Sequence, residues 1–285
     1  MSQKSYKING KPLAERLLSR VTADWSSRVS RAHTPHLEIL QVGEHDASEV
    51  YIRRKVRACE RVGFSTNHQI LAADITLSAL LKKIDGLNDD PKVTGILIQL
   101  PLPPSLDAGI VTARIQTGKD VDALTPTRLG ELVTGRFDLM PCTTAGILQL
   151  LHENQVQLSG KSVVMVGASA LVGKPTAIVL LHHDATVTVC HSQTIDLEKH
   201  VRSADILIVA IGNPNVIQAN WIQPGSIVID VGINRSDDGH IIGDVPTEAT
   251  AARKAYVSVV PGGVGPLTVA HLVNNLYRLY CIQHP

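Results

Sequence analysis

The sequence predicts an α/β protein of two lobes, the second built on a doubly wound parallel sheet, and three observations lead there. After Lys161 come five apolar runs of strand length, SVVMVG, ATVTVC, ADILIVAIG, SIVIDVGI and YVSVVPGG, with helical or turn-rich stretches between them. In the first half, strand-length apolar runs likewise alternate with amphipathic helical segments. The length, 285 residues, exceeds the roughly 100–200 of one domain. Parallel neighbours need crossover connections, so alternation of this kind builds a Rossmann-like sheet with helices between its strands.

The elements follow in order. Leu13, Leu17, Val21, Trp25 and Val29 recur at close to helical spacing, and the run LEILQVG at 37–43 then reads as a buried strand. A second helix is expected over about 48–62 and a third through Leu77, Leu80, Leu81 and Ile84. VTGILIQL at 93–100 is an apolar strand closed by Pro101. Between 117 and 144 the periodicity breaks up around Gly118, Pro126, Gly130, Gly135 and Pro141, the expected crossing between lobes. The last segment, 267–280, reads as a helix returning to the first lobe. The expected division is 1–143, joined by the helix at about 267–285, and 144–266.

Composition excludes several classes of function. Lys and Arg number 27 against 26 Asp and Glu, a formal net charge of +1, and no polybasic run occurs, so a nucleic-acid partner is not expected. The four cysteines, Cys59, Cys142, Cys190 and Cys281, fit no zinc-ligand spacing and read as reduced thiols, with no metal site. The start MSQKSYKING lacks an apolar signal core, and no stretch approaches the roughly 18 apolar residues that span a bilayer, which points to a cytoplasmic protein without membrane contact.

The first strand of the second lobe ends in Gly167-Ala168-Ser169-Ala170-Leu171-Val172-Gly173-Lys174-Pro175, where backbone N–H groups at a helix start suit a phosphate. The spacing is neither G-x-G-x-x-G nor G-x-x-x-x-G-K-[ST], and the plain alternative is a tight strand-to-helix turn with Pro175 at its favoured first helical position. An NAD-selective unit places Asp or Glu about 20 residues on, after the second strand. Here that place reads Cys190-His191-Ser192, and without a carboxylate the His191 imidazole and Ser192 hydroxyl are available to donate to a 2′-phosphate. The alternative is that both are solvated loop residues.

Tyr51 and Lys55 stand at i and i+4, so on a helix they share a face; the bland reading is a snorkelling lysine beside a half-buried tyrosine. Gln99 closes the strand before Pro101, at the carboxyl end where open α/β sheets bind ligands. Asp122, within KDVDAL, is by default a cap or turn residue.

Taken together, the segments VGEHDASEVYIRRK, GILIQLPLPP, KDVDALTPTRLGEL, PCTTAGILQLL, VGASALVGKP, TVCHSQT, IVAIGNP, VIDVGIN, GDV and PGGVGPLTVA resemble the bifunctional methylenetetrahydrofolate dehydrogenase/cyclohydrolase family, in order and over nearly the whole chain. The resemblance implies an N-terminal catalytic lobe, a cofactor lobe of Rossmann type and a folate cleft between them. It also implies NADP as cofactor, tetrahydrofolate derivatives as substrates and a homodimer formed through the cofactor lobe. The family's catalytic lysine matches Lys55, its stacking tyrosine Tyr51, its lysine-partnering glutamine Gln99 and its pterin-binding aspartate Asp122. Pro261, Gly262, Gly263 and Gly265 match the loop beside folate and nicotinamide; Gly167, Ala168, Ser169, Val172, Gly173, His191, Ser192, Gly212 and Ile233 match the cofactor side.

Proton exchange by Lys55 at neutral pH requires a pKa brought from near 10.4 toward about 7–8. Family members commonly carry G-R-S where this chain has Gly167-Ala168-Ser169, and that arginine helps hold the cofactor phosphate, so Lys174 or Arg202 is the expected substitute and NAD stays open beside NADP. Further departures are Ala123 for glycine, Leu124 for phenylalanine, Arg128 for asparagine and Thr144 for proline. The rivals to the bifunctional reading are a monofunctional or NAD-preferring dehydrogenase and a folate- or dinucleotide-binding regulator without turnover.

Overall fold

The structure, a computed structural model, describes residues 6–29, 31–44, 46–236 and 238–285. The first five residues, half of the start MSQKSYKING that lacks an apolar signal core, lie outside the described residues. In chain order the elements are β1 (Lys7–Ile8), α1 (Lys11–Ser27), β2 (His36–Val42), α2 (Asp46–Val62), β3 (Ser65–Leu71), α3 (Leu77–Asp89), β4 (Gly95–Ile98), α4 (Ala108–Ala113), α5 (Pro126–Val133) and α6 (Cys142–Glu153). They continue with β5 (Ser162–Val166), α7 (Gly173–Leu181), β6 (Thr186–Cys190), α8 (Leu197–Arg202), β7 (Ile206–Val209), β8 (Ile227–Asp230), β9 (Asn234–Arg235), β10 (Ile241–Ile242), α9 (Thr247–Ala252), β11 (Tyr256–Ser258) and α10 (Val264–Gln283). The chain divides into two compact units: one takes the chain up to Ala14 with Thr143–Thr268, the other Glu15–Cys142 with Val269–Pro285.

The first unit holds a six-stranded sheet in the order β1-β11-β8-β7-β5-β6, every pairing parallel. Alternate residues Val164, Val166, Leu207, Val209, Val228 and Val257 pack on one face with Val201, Ile217, Ile222 and Val245. Val163, Met165, Ile208 and Ile229, which point the other way, are also fully buried. Both faces are covered, which is why these strands read as continuous apolar runs. From β5 the chain steps to β6 at one edge and then returns past β5 to β7, so the order reverses between β5 and β7. A ligand crevice belongs beyond the carboxyl ends at such a reversal.

The second unit holds a parallel sheet β3-β2-β4. Leu40, Val42, Ile96 and Ile98 pack with Leu80, Ile84, Val111 and Ile115 from and around α3 and α4. Its edge strand β3 has no apolar run. The amides of Asn67 and Gln69 donate instead to the Glu38 carboxylate on β2, at 3.1 and 2.6 Å. Burial pushes the Glu38 carboxyl up, but hydrogen bonds from His36, Gln69 and Asn67 outweigh it and hold it below its ordinary range.

The structure corrects several expectations. The strand expected at 93–100 is only Gly95–Ile98, and the helix expected from 48 begins at Asp46. The segment 117–144 is not irregular throughout: Thr125 caps α5 by accepting from Arg128 N, with Pro126 in its first turn. Gly130 inside that short helix hid the periodicity. Among the described residues no helix is long and apolar enough to cross a membrane.

Candidate functional site

Helix α2 is amphipathic, with Ile52, Ala58, Cys59 and Val62 buried and Arg53, Arg54, Arg57 and Glu60 exposed. Tyr51 and Lys55 lie half-buried one turn apart. The Lys55 ammonium donates to Gln99 Oε1 at 3.1 Å. Gln99 is itself held at both ends, its backbone N donating to the Leu40 carbonyl at 2.8 Å and its Nε2 to the Leu100 carbonyl at 2.7 Å. The donor end of the amide is thus occupied, and its oxygen is the group offered to lysine. Of the neighbouring arginines, Arg53 pairs with Glu49 at 3.2 Å, and Arg54 lies over the Tyr51 ring, 5.7 Å from its centroid. Burial raises the Tyr51 hydroxyl pKa, and the Arg54 charge opposes that rise.

Asp122 sits in a turn tethered at every preceding residue. Gln283 donates to the Gly118 carbonyl at 2.8 Å. Lys119 Nζ, its pKa lowered by burial, donates to the carbonyls of Leu87 and Asp90 at the end of α3, at 2.8 and 2.6 Å. The buried Asp120 carboxylate accepts from Thr125 N at 2.7 Å, and Asn275 Nδ2 reaches the carbonyls of Val121 and Met140, each at 3.0 Å. Burial pushes the Asp120 carboxyl up, and hydrogen bonds from Thr125 pull against it. Beyond Asp122, Ala123 takes a left-handed conformation, φ 55°, where the family has glycine. The Cys142 thiol ties the two groups together: burial first, then the charge and hydrogen bond of Asp122, hold it well above its ordinary range, while the charge of Lys55 pulls it down. Lys55 is thus tied to Gln99 by a hydrogen bond, and its charge and that of Asp122 act on the Cys142 thiol in opposite directions.

In the other unit, the predicted cofactor residues follow strand carboxyl ends: Gly167 after β5, His191 and Ser192 after β6, Gly212 after β7 and Ile233 after β8. A Cβ on Gly167, whose φ is +117°, would stand 2.2 Å from the Ala210 carbonyl oxygen, and one on Gly173 1.9 Å from that of Gly167. Ser169 Oγ accepts from the backbone N–H groups of Val172 and Gly173 at 3.2 and 3.5 Å, so it shapes the loop, while Ala168 beside it adds no polar group. His191 Nδ1 accepts from Gln193 N at 3.2 Å, which assigns the proton of the neutral ring to Nε2. Ser192 is exposed. Pro261, Gly262 and Gly263 lie between β11 and α10, Gly265 is in the first turn of α10, and the Gly262 carbonyl accepts from Gly10 N at 2.8 Å.

The two candidate substitutes for the absent arginine differ in place. Lys174 is exposed on the first turn of α7, while Arg202 is paired with Glu198 at 2.6 Å and lines a cavity of about 520 Å³ with Lys161, Asp205 and Ser226. Those residues lie near the amino ends of β5, β7 and β8, the wrong end of a parallel sheet for the crevice. Two other departures have a structural reason. The buried Thr144 hydroxyl meets that of Thr176 at 3.0 Å, and Arg128 folds back onto Glu131 and the Thr117 carbonyl, at 2.8 and 3.1 Å. Sequence reasoning missed Asp230 and Asp244, which are buried beneath the ends of β7 and β8. Burial raises the Asp230 pKa to about 6 against three backbone hydrogen bonds. The motifs VID and GDV contained both acids, but nothing local marks an acid as buried.

Comparison with known proteins completes this picture. The family described as tetrahydrofolate dehydrogenase/cyclohydrolase, catalytic domain, matches residues 8–122, and its NAD(P)-binding domain matches 141–284. The bifunctional protein FolD 2 of Geobacter sulfurreducens is 45% identical over 268 residues, 94% of each chain. The crystal structure of the bifunctional enzyme FolD from Campylobacter jejuni superimposes with a TM-score of 0.92 at 38% identity, covering 96% of this chain and 98% of that one. The Trypanosoma brucei enzyme, complexed with NADP cofactor and inhibitor, gives 0.91 at 33% identity over 97% of each. On the matches to both domains and on this identity over nearly its whole length, the chain belongs to the tetrahydrofolate dehydrogenase/cyclohydrolase family.

Proposed function

We propose that the protein oxidises 5,10-methylenetetrahydrofolate to the 5,10-methenyl form with NADP and hydrolyses that product to 10-formyltetrahydrofolate. The observation that carries this reading is the Lys55–Gln99 contact at 3.1 Å, in a chain whose family is named for both activities. In the first step a hydride leaves the methylene carbon and a delocalised amidinium cation remains, so the protein's work is alignment. Tyr51 presents a flat face to the pterin or aminobenzoyl ring, and Asp122 accepts from the pterin N–H groups. In the second step water adds to the same carbon and the ring opens. Lys55 takes one proton from the adding water and returns it to the departing nitrogen, the second water proton leaving to solvent as the formyl C=O forms, while Gln99 holds the amine without adding charge.

The chain's own residues fit a dinucleotide. At Gly167 and Gly173 the backbone leaves no room for a side chain, and the donors of His191 and Ser192 stand where an NAD-selective site has a carboxylate. NADP, when bound there, supplies the hydride acceptor. We assign Gly167, Ala168, Ser169, Val172, Gly173, His191, Ser192, Gly212 and Ile233 to its side, and Pro261, Gly262 and Gly265 to the loop serving folate and nicotinamide. The folate role thus falls to the unit that carries Lys55, and the cofactor role to the unit that carries Gly167.

A second copy is the expected partner. Among the described residues the edge strand β6 has no neighbour on its outer side in the sheet, and Val189 on it and Leu181 nearby are 38% and 56% exposed, a pairing edge for a homodimer. Four free thiols suit the cytoplasm. The test follows reduced cofactor and methenyl product separately with NADP and with NAD. Reduction without methenyl accumulation is expected, with NADP preferred; accumulation would mean a dehydrogenase alone, NAD preference a redirected cofactor site, and ligand binding without turnover a regulator. Lys55→Met should lower hydrolysis by about 100-fold or more, and an unchanged rate would remove Lys55 from the mechanism.

A further inference from the structure

We infer that Asp244 is the positioning residue of the cofactor edge, one buried carboxylate that locks the loop after β7 to the loop after β8; the inference rests on the cofactor assignment above. Asp244 is 0% exposed. Its Oδ2 accepts from the backbone N–H groups of Ile211 and Gly212, at 2.8 and 2.9 Å, and its Oδ1 from Asn234 Nδ2 at 2.8 Å. Gly212 and Ile233, the residue before Asn234, are the candidate cofactor contacts of those two loops. One side chain therefore sets their separation.

Asp244 is held in turn. Its own N–H donates to Asp230 Oδ1 at 3.0 Å, and Asp230 also accepts from Gly232 N and Val245 N, each at 2.9 Å. The packing leaves no slack: a Cβ on Gly232 would stand 2.2 Å from Asp244 Cγ, and one on Gly243 1.9 Å from Asp230 Oδ2. Neither acid joins an ion pair among the described residues, so both are held by N–H dipoles, at the usual cost of burying a carboxylate. An apolar pair would pack a core at lower cost, but it would leave the N–H groups of Ile211 and Gly212 without an acceptor. Gly212 has φ +68°, and nothing lies within 4 Å of where its Cβ would be, so packing on that side does not hold it, whereas its N–H is held by Asp244.

The experiment is NADP titration and steady-state kinetics of Asp244→Ala and Asp244→Asn, with hydrolysis of methenyltetrahydrofolate in the absence of cofactor as the check on folding. Asp244→Ala should weaken NADP binding by about tenfold or more while the KM for methylenetetrahydrofolate stays within about twofold. Asp244→Asn, which keeps an acceptor oxygen toward Ile211 and Gly212, should recover most of the affinity. Unchanged NADP affinity in a folded Asp244→Ala overturns the inference. If that variant does not fold, Asn234→Ala decides, with NADP affinity about threefold weaker expected and no change overturning. A wild-type chain that binds NADP without turnover overturns the proposed activity but leaves this test standing.

Discussion

The turn around Asp122 and the edge around Gly212 are both organised by a buried aspartate, and they are held by opposite means. At the cofactor edge, Asp230 and Asp244 accept five backbone N–H groups and the Asn234 amide, and the glycines between them have no room for a side chain. At the Asp122 turn Asp120 accepts from its own loop, Thr125 N among the donors, and further tethers are side chains that reach distant elements: Lys119 to α3, with Asn275 and Gln283 from α10. One region is rigid because its backbone is packed against itself. The other is rigid because helices pin it, and it therefore tolerates Ala123 at a positive φ.

The comparison breaks first, and hardest, at a glycine. Gly173→Ala drives a methyl group into the backbone oxygen of Gly167, which has no rotamer by which to retreat, so about 3 kcal/mol of stability and most cofactor affinity should be lost. Gly212→Ala, which meets no neighbour, should cost only the roughly 1–2 kcal/mol of its left-handed backbone. Equal effects in denaturant unfolding would show that the packing argument is wrong. Next comes the pinned turn: Asn275→Leu leaves the carbonyls of Val121 and Met140 without their donor, at about 2 kcal/mol. The KM for folate should rise several-fold with NADP affinity unchanged, and a matching loss on the cofactor side would erase the distinction between the regions. The smallest effect sharpens it. In Ala123→Gly, relief of the left-handed strain offsets the added freedom of the unfolded chain, leaving a net change within about 1 kcal/mol, read by thermal melting. A larger loss would give the buried methyl group the main role.

The same contrast explains what was legible. Strands β5, β7, β8 and β11 are apolar because the sheet they form is covered, and each was readable from its own residues, as was the partly exposed edge strand β6. Strand β3, STNHQIL, was not, because its amides satisfy the buried Glu38 instead of adding to an apolar face. Strand β1 has two residues and no pattern of its own. Tyr51, Lys55 and Gln99 stood out through helical spacing and a strand end, which are local signals. Asn275 and Asp244 carry no such signal. One is an asparagine in an amphipathic helix, the other an acid in a short hairpin, and only their partners, 154 and 33 residues away, give them a role.

The pairing of Lys7 with Val257 and of Ile8 with Ser258 has a consequence for biosynthesis. Each unit joins early and late parts of the chain: the six-stranded sheet closes on a strand from the beginning, and the Asp122 turn is pinned by the last helix. A nascent chain emerging from the ribosome therefore has to carry β1 unpaired until β11 has emerged, and the Asp122 turn without its Asn275 and Gln283 tethers until α10 has emerged. Both halves then close late, in a single window, instead of one after the other.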